Sequence, residues 1–282
     1  DHVFTCLPDE SIPLVYPKEI VGNISFSRML TGYVTPSLRS FNNFTNNRTI
    51  DIGYRGSIQP LSFGRLAYEK RRIGEDVCNL LQSSSLKVDI SSNWEDRKGG
   101  TEWLKFLLNC KATLGAESGA SIFDVDGNLS KRIVRIETLI GPFNESKEYA
   151  ELFLEKISDL ENKVNYNQIS PRHFEAIATG TLQLLFPGNY SNILSPNKHY
   201  FELNRDYSNF SEALKLISND KKRNEIAKVA YEEVILNKDY WIETFVENFD
   251  KKILQLVGKK RKKNDGPFII NSNKKNILLL AA

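Results

Sequence analysis

Short apolar runs alternate with stretches of helical periodicity along most of the chain. The apolar runs predict strands at 49–54, 86–90, 112–115, 182–186 and 199–203. Apolar residues spaced three and four apart predict helices at 65–82, 102–109, 147–163, 208–218, 220–236 and 240–257. Strands that alternate with helices favour an α/β fold. We therefore predict a Rossmann-like parallel sheet with helices on both faces.

The two ends of the chain lack this alternation. Residues 1–47 begin on a strand-like run and then show little periodicity, so we expect a connecting segment from an N-terminal domain, with a short helix near Phe26–Leu30. Residues 48–258 would form the Rossmann-like domain. A charge run at 259–275 predicts a basic linker. Residues 276–282 look like the first strand of a following domain or a tail. We expect a module of a longer, multi-domain polypeptide.

Composition narrows the functional classes. A length of 282 residues with 40% hydrophobic content is enough to bury a full core, and a net charge of +3 gives no reason to expect a nucleic-acid partner. Three cysteines and three histidines are too few for a disulfide framework or an evident metal cluster. The sequence contains no apolar run of membrane-spanning length and no signal peptide. We expect a cytoplasmic protein without a transmembrane segment or a bound metal.

The stretch from Ser170 to Thr181 carries the strongest chemical signal. Ser170 and Pro171 suit the start of a helix, and Gly180 suits its end. The first turn then contains three polar side chains: Arg172, His173 and Glu175. Unpaired backbone N–H groups at that turn favour an anionic ligand. The alternative is a capped surface helix whose glutamate offsets the helix dipole.

This stretch resembles the motif Arg-x-Phe-Glu-Ala-x-Ala-x-Gly-Thr in the C-terminal domain of GT-B glycosyltransferases, in the branch of glycosyl transferase group 1 and CgeB-like proteins. Residues 196–206 resemble the segment that follows it, and the resemblance extends over about 48–258. It implies a donor-binding domain of an enzyme that transfers a sugar from a nucleotide-sugar donor to a glycan acceptor. It also implies neighbouring glycosyltransferase domains in the same polypeptide and no cofactor apart from the donor substrate.

The resemblance also implies roles for individual residues. Arg55 after the first strand, Lys70 on the next helix and Arg172 would stabilise the donor diphosphate, as cations do where charge builds on a leaving phosphate. Glu175 would accept hydrogen bonds from the ribose hydroxyls. The complete predicted donor-binding set is Tyr54, Arg55, Lys70, Ser91, Ser118, Gly119, Arg172, His173, Phe174 and Glu175. Solvated basic faces are the alternative for the cations.

Glu117 and Arg55 are the predicted catalytic residues. Many retaining relatives carry two glutamates eight positions apart, but the position eight before Glu175 is Asn167. Glu117 could take the place of the missing glutamate in space. Trp94 follows the strand whose end would hold the nucleobase, and it would either stack on the base or pack within the protein.

Two other functions remain open. The first is a non-catalytic module that binds a nucleotide sugar or a glycan, which the missing glutamate favours. The second is a metal-dependent GT-A enzyme, because Asp124-Val125-Asp126 resembles the metal site of that class. We interpret Asp124–Asn128 as a polar turn, since it lacks the terminal glutamate of a calcium loop.

Overall fold

The structure is a computed structural model that describes residues 1–41 and 47–261. The chain divides into two compact units, residues 1–245 and the remainder from Val246. The described strands are β1 (His2–Thr5), β2 (Ser25–Arg28), β3 (Ile50–Arg55), β4 (Val88–Ser91), β5 (Cys110–Gly115), β6 (Ser118–Ala120), β7 (Tyr166–Gln168), β8 (Leu182–Leu185) and β9 (Phe201–Glu202).

Eleven α-helices are described within the same residues. They are α1 (Ile12–Val15), α2 (Lys18–Val21), α3 (Pro36–Arg39), α4 (Arg65–Leu80), α5 (Gly100–Asn109), α6 (Leu129–Ile140), α7 (Lys147–Lys156), α8 (Pro171–Ala178), α9 (Phe210–Ile217), α10 (Asp220–Ala230) and α11 (Ile242–Arg261). None of these helices is long and apolar enough to cross a bilayer.

The main sheet has five parallel strands in the order β4-β3-β5-β8-β9. The chain passes from β3 outward to β4 and then returns across β3 to β5. The strand order therefore reverses between β3 and β5, which is the topological switch point of the sheet. Ligands of open α/β sheets bind beyond the carboxyl ends of the strands at such a point.

Helices cover both faces of this sheet. On one face, Ile52, Leu114 and Leu184 share an apolar cluster with residues of α4 and α9. On the other face, Leu185 packs in a cluster with residues of α8, and α5 contributes Trp103 to a neighbouring cluster. Because alternate residues of a strand point to opposite faces, fully buried strands need apolar residues at nearly every position. The predicted fold class, a Rossmann-like α/β sheet, is confirmed.

A buried arginine holds together the two helices on the second face. Arg48, of which 5% is exposed, donates to the carbonyl oxygen of Leu107 at 3.1 Å and to that of Thr179 at 2.6 Å. These carbonyls lie at the carboxyl ends of α5 and α8, where a cation offsets the negative end of the helix dipole. The same two helices supply side chains to the candidate site described below.

The N-terminal region differs from its prediction. The short helix expected near Phe26–Leu30 is wrong, because Ser25–Arg28 forms strand β2 and pairs in parallel with β1. A four-residue segment has little intrinsic preference for helix, and tertiary pairing decides its conformation. Val34 and Leu38 are buried in the cluster that contains Phe174.

Residues 122–168 form a small helical subregion beside the sheet. The predicted helix 147–163 ends at Lys156, and the unpredicted α6 packs with α7 in an apolar cluster that also contains Tyr68 of α4. Strand β7 then pairs antiparallel with β6. At the C-terminal end, α11 continues to Arg261, so the first three positions of the predicted linker 259–275 are helical. The rest of that linker and the predicted strand at 276–282 lie outside the described residues.

Candidate functional site

A pocket of about 240 Å³ lies at the switch point of the main sheet. Strands β3 and β5 contribute their carboxyl ends to it, α4 and α5 contribute one side chain each, and α8 contributes its first turn. The lining residues are Tyr54, Ser57, Gln59, Lys70, Trp103, Thr113, Leu114, Gly115, Ala116, Ser118, Ser170, Arg172, His173 and Gln183. The structure thus brings together these members of the predicted set: Tyr54, Lys70, Ser118, Arg172 and His173.

Two cations face this pocket without a carboxylate partner among the described residues. Lys70 is half-buried, and its pKa is lowered by burial and by the nearby positive charge of Arg172. Arg172 donates from Nη1 to the carbonyl oxygen of Arg55, and its guanidinium lies 5.1 Å from the centre of the Trp103 ring. Two neighbouring unpaired cations repel each other, so an anion in the pocket would relieve that repulsion.

The first turn of α8 presents a neutral histidine to the same pocket. Ser170 caps the helix, and its backbone N–H donates to Nδ1 of His173 at 3.0 Å. The proton of the neutral imidazole therefore lies on Nε2, which can donate to a ligand. Burial, Lys70 and Arg172 lower the pKa of His173 to about 3, so the ring stays uncharged at neutral pH.

Glu175 lies behind the pocket and does not line it. Its Oε2 atom accepts a hydrogen bond from Nε1 of Trp103 at 2.7 Å. Only 7% of Trp103 is exposed, and its ring also contacts the guanidinium of Arg172. In this conformation Glu175 orients the indole that supports Arg172, whereas the resemblance implied that it binds the donor ribose.

Arg55, predicted to bind the diphosphate and to act in catalysis, is directed away from the pocket. Its Nη2 atom pairs with Oδ1 of Asp89 at 2.7 Å, and the guanidinium also donates to the carbonyl oxygens of Tyr54, Asp89 and Asp96, each at 2.9 Å. Only 5% of the residue is exposed, and it lies over the Phe106 ring. The N–H groups of its guanidinium therefore donate to groups of the protein itself.

Glu117, the other predicted catalytic residue, is also bonded within the protein. Its Oε1 accepts from the backbone N–H groups of Asn189 at 3.0 Å and Tyr190 at 2.7 Å. Its Oε2 accepts from Nδ2 of Asn167 at 2.9 Å. Burial raises the pKa of Glu117, although these hydrogen bonds oppose the shift. The carboxylate holds the loop after β8, in which Tyr190, Ser191 and Asn192 have positive φ.

Three further members of the predicted donor-binding set lie outside the pocket. Phe174 is fully buried in the core. Ser91 donates to Oδ2 of Asp96 at 2.6 Å. Gly119 has a φ of +96°, and a Cβ atom there would lie 1.8 Å from the Tyr166 carbonyl oxygen of strand β7. Its lack of a side chain is therefore required by strand pairing, independently of any ligand.

The remaining aromatic and acidic candidates lie on the surface. Trp94 is 73% exposed, and Arg97 stacks over its ring at 4.3 Å. Asp124 accepts from the backbone N–H of Leu129 at 3.3 Å, and Asp126 accepts from that of Asn128 at 3.1 Å. Both aspartates thus bond to the backbone of their own turn, as the polar-turn interpretation expects.

Sequence reasoning missed the polar wall of the pocket. Thr113 and Gln183 face each other in register on β5 and β8, and both line the pocket. Trp103 also lines the pocket, and its contact with Arg172 was not predicted. The available signal was a glutamine within the apolar run Leu182-Gln183-Leu184-Leu185. A polar residue in the middle of a buried strand indicates either an internal hydrogen bond or a site.

This chain is similar to solved structures at low sequence identity. The crystal structure of the GtfA/B complex is similar with a TM-score of 0.44 and 10% identity, covering 91% of this chain and 45% of that chain. The crystal structure of TarM is similar with a TM-score of 0.40 and 15% identity, covering 89% and 42%. This chain spans less than half the length of either. Curated proteins give no match.

The family comparison covers the segment that contains α8. Arg172, His173 and Glu175 lie within the matched residues, whereas Tyr54 and Lys70 precede them. Residues 138–246 match the family described as glycosyl transferase-like, and this match confirms the resemblance to glycosyltransferases predicted from residues 170–206.

Proposed function

We propose that this chain is the donor-binding part of a GT-B glycosyltransferase and that its pocket holds the phosphate groups of a nucleotide sugar. The single observation that carries the proposal is the pair of cations, Lys70 and Arg172, which face the pocket without a carboxylate partner among the described residues. The family match supports glycosyl transfer in general. The nucleotide-sugar donor, the glycan acceptor and the neighbouring domains are parts of the proposal.

The proposed chemistry is electrostatic. When the bond between the sugar and the diphosphate breaks, negative charge increases on the leaving phosphate oxygens. Lys70 and Arg172 would stabilise that charge, and the positive end of the α8 helix dipole would add to the effect. His173 would donate from Nε2 to a neutral part of the donor, without adding a charge. Because protein cations supply this stabilisation, the proposal requires neither a metal ion nor another cofactor.

Binding tests the proposal directly. We expect calorimetry with uridine and guanosine diphosphates and their sugar derivatives to detect at least one ligand. Replacing both cations, Lys70→Ala with Arg172→Ala, should weaken that binding by at least about 100-fold, since each charge-assisted contact is worth roughly 1.5–3 kcal/mol. Lys228→Ala, which removes one exposed cation elsewhere, is the control for the loss of a surface charge. Equal affinity in the double variant and in Lys228→Ala would refute the site.

A non-catalytic binding module is the second candidate. It is favoured by the absence of aspartate and glutamate from the described residues that line the pocket, since a carboxylate is a common general base for a hydroxyl acceptor. Turnover separates the two candidates. Release of nucleoside diphosphate in the presence of acceptor and EDTA supports the metal-independent enzyme, whereas tight donor binding with no release supports the module. Release that requires added manganese would refute metal independence.

A cytoplasmic location completes the proposal. The three cysteines, Cys6, Cys78 and Cys110, are all free thiols, and such thiols persist in reducing compartments. Nucleotide sugars used as donors would have to be present in the same compartment. Cell fractionation of the tagged protein with a cytoplasmic marker would test this part.

A further inference from the structure

Gln183 carries an unexplained buried donor. It lies in strand β8 between Leu182 and Leu184, and only 2% of the residue is exposed. Its side-chain nitrogen Nε2 has no hydrogen-bond partner among the described residues. A buried amide without a hydrogen-bond partner destabilises the fold. Its presence in the middle of a strand therefore indicates a role other than stability.

The position of Gln183 at the pocket indicates that role. The residue lines the switch-point pocket beside Thr113, its direct partner on β5. His173 lines the same pocket, with the Nε2 proton that its bond to Ser170 dictates. The pocket therefore has two kinds of donors. Lys70 and Arg172 are charged, whereas Gln183 and His173 are neutral.

These two kinds of donors suit different parts of one ligand. Cations bind phosphate oxygens most strongly. A neutral amide in a buried wall suits a neutral acceptor such as a sugar hydroxyl. A sugar that lacks this hydroxyl would leave the amide without a partner, so the site would bind it less tightly. A pocket of about 240 Å³ is also smaller than the usual 300–1,000 Å³ of small-molecule sites, so it suits part of a nucleotide sugar rather than all of it.

We propose that Gln183 is a specificity-determining residue that donates from its side-chain amide to a hydroxyl oxygen of the donor sugar. This inference rests on the proposed function, since it assumes that Lys70 and Arg172 hold the adjoining diphosphate. It assigns the sugar to the wall formed by Thr113, His173 and Gln183. It also predicts that Gln183 contributes to the binding of the sugar and not to the binding of the nucleotide.

The experiment compares each nucleoside diphosphate with its sugar derivative in wild-type protein, Gln183→Leu and Gln82→Leu. Leucine has a similar volume but no donor, and Gln82, on the surface after α4, is the matched control. We expect Gln183→Leu to weaken binding of the nucleotide sugar roughly tenfold. It should leave binding of the nucleoside diphosphate within about twofold, and Gln82→Leu should change neither.

Two outcomes contradict the inference while leaving the proposed function intact. In the first, Gln183→Leu binds the nucleotide sugar as wild type does. In the second, it loses affinity equally for both ligands, which would mean that Gln183 contacts the nucleotide. If wild-type protein binds neither ligand, the proposed function itself fails, and this inference fails with it.

Stability without ligand separates a binding role from a structural one. If Gln183 is kept for the ligand, Gln183→Leu should unfold at the same denaturant concentration as wild type or at a higher one, because it removes a buried donor that lacks a partner. A lower midpoint in the ligand-free protein would show that the amide supports the fold, and it would overturn the proposal.

Discussion

Arg55 and Arg172 are both arginines near the same edge of the main sheet, and both were predicted to bind the donor diphosphate, yet the structure uses them differently. Arg55 is almost fully buried, pairs with Asp89 and donates to three carbonyl oxygens. Arg172 lines the pocket and has a carbonyl oxygen and an indole ring as its described partners. The first charge is neutralised within the fold, whereas the second is left for a ligand.

The glutamates show the same contrast. Glu117 accepts three hydrogen bonds, two of them from the loop after β8, and Glu175 accepts one from the Trp103 indole that supports Arg172. The roles predicted from the sequence rested on the type of each side chain and its position along the chain. The partners of a charged group therefore decide whether it serves the fold or the site.

The largest expected effect concerns the two arginines. Arg55→Ala should lower the free energy of unfolding by about 2–4 kcal/mol, because it leaves buried carbonyl oxygens and Asp89 without their donor. Arg172→Ala should lower it by less than about 1 kcal/mol but should weaken nucleotide-sugar binding roughly 30-fold. Urea unfolding and calorimetry measure the two quantities. If Arg55→Ala were as stable as wild type but bound the nucleotide sugar less tightly, Arg55 would serve the ligand and not the fold.

Glu117 gives the next largest effect. Glu117→Ala should cost about 2–3 kcal/mol of unfolding free energy, since the N–H groups of Asn189 and Tyr190 lose their acceptor. Glu117→Gln keeps one oxygen for these groups, so it should recover most of the stability and retain most of any transfer activity. If Glu117→Gln is stable but at least 100-fold slower in transfer, Glu117 is catalytic and its structural role is secondary.

The smallest expected effect is the pH dependence of Lys70. Its folded-state pKa lies below the ordinary lysine value, because burial and Arg172 disfavour its charge. The cation is present below that pKa, so affinity for a nucleoside diphosphate should fall as pH rises through it. Between the folded and the unfolded pKa the unfolded chain binds more protons, so the stability of the ligand-free protein should rise with pH.

Lys70→Arg tests this assignment, since arginine stays charged over the same range. Calorimetry between pH 7 and pH 10 should show a decline in affinity for wild type and little decline for Lys70→Arg. An equal decline in both proteins would assign the titration to another group.

The alternation of strands and helices predicted the main sheet, because a buried parallel strand needs a continuous apolar run that local reading detects. The α4 and α5 helices were found for a similar reason, through their one-sided apolar spacing. The strand β2 and the helix α6 were missed. Ser25–Arg28 becomes a strand only by pairing with β1, and α6 depends on packing against α7.

The candidate site was predicted in part. Tyr54, Lys70, Ser118, Arg172 and His173 follow from strand ends, a helix start and the family resemblance, and all of them line the pocket. Arg55 and Glu117 are bonded elsewhere, because a sequence does not show which carbonyl oxygens or N–H groups lie within reach of a side chain.

The sequence by itself determined the parallel α/β sheet, the capped start of α8 and the cations that reach the carboxyl edge of the sheet. Periodicity and capping are local properties, and residue type is enough to set them. Only the tertiary structure decided which charges are neutralised and that Gln183 meets Thr113 at the pocket wall. Hydrogen bonds and ion pairs between distant segments depend on distances of a few ångströms, which only the folded chain fixes.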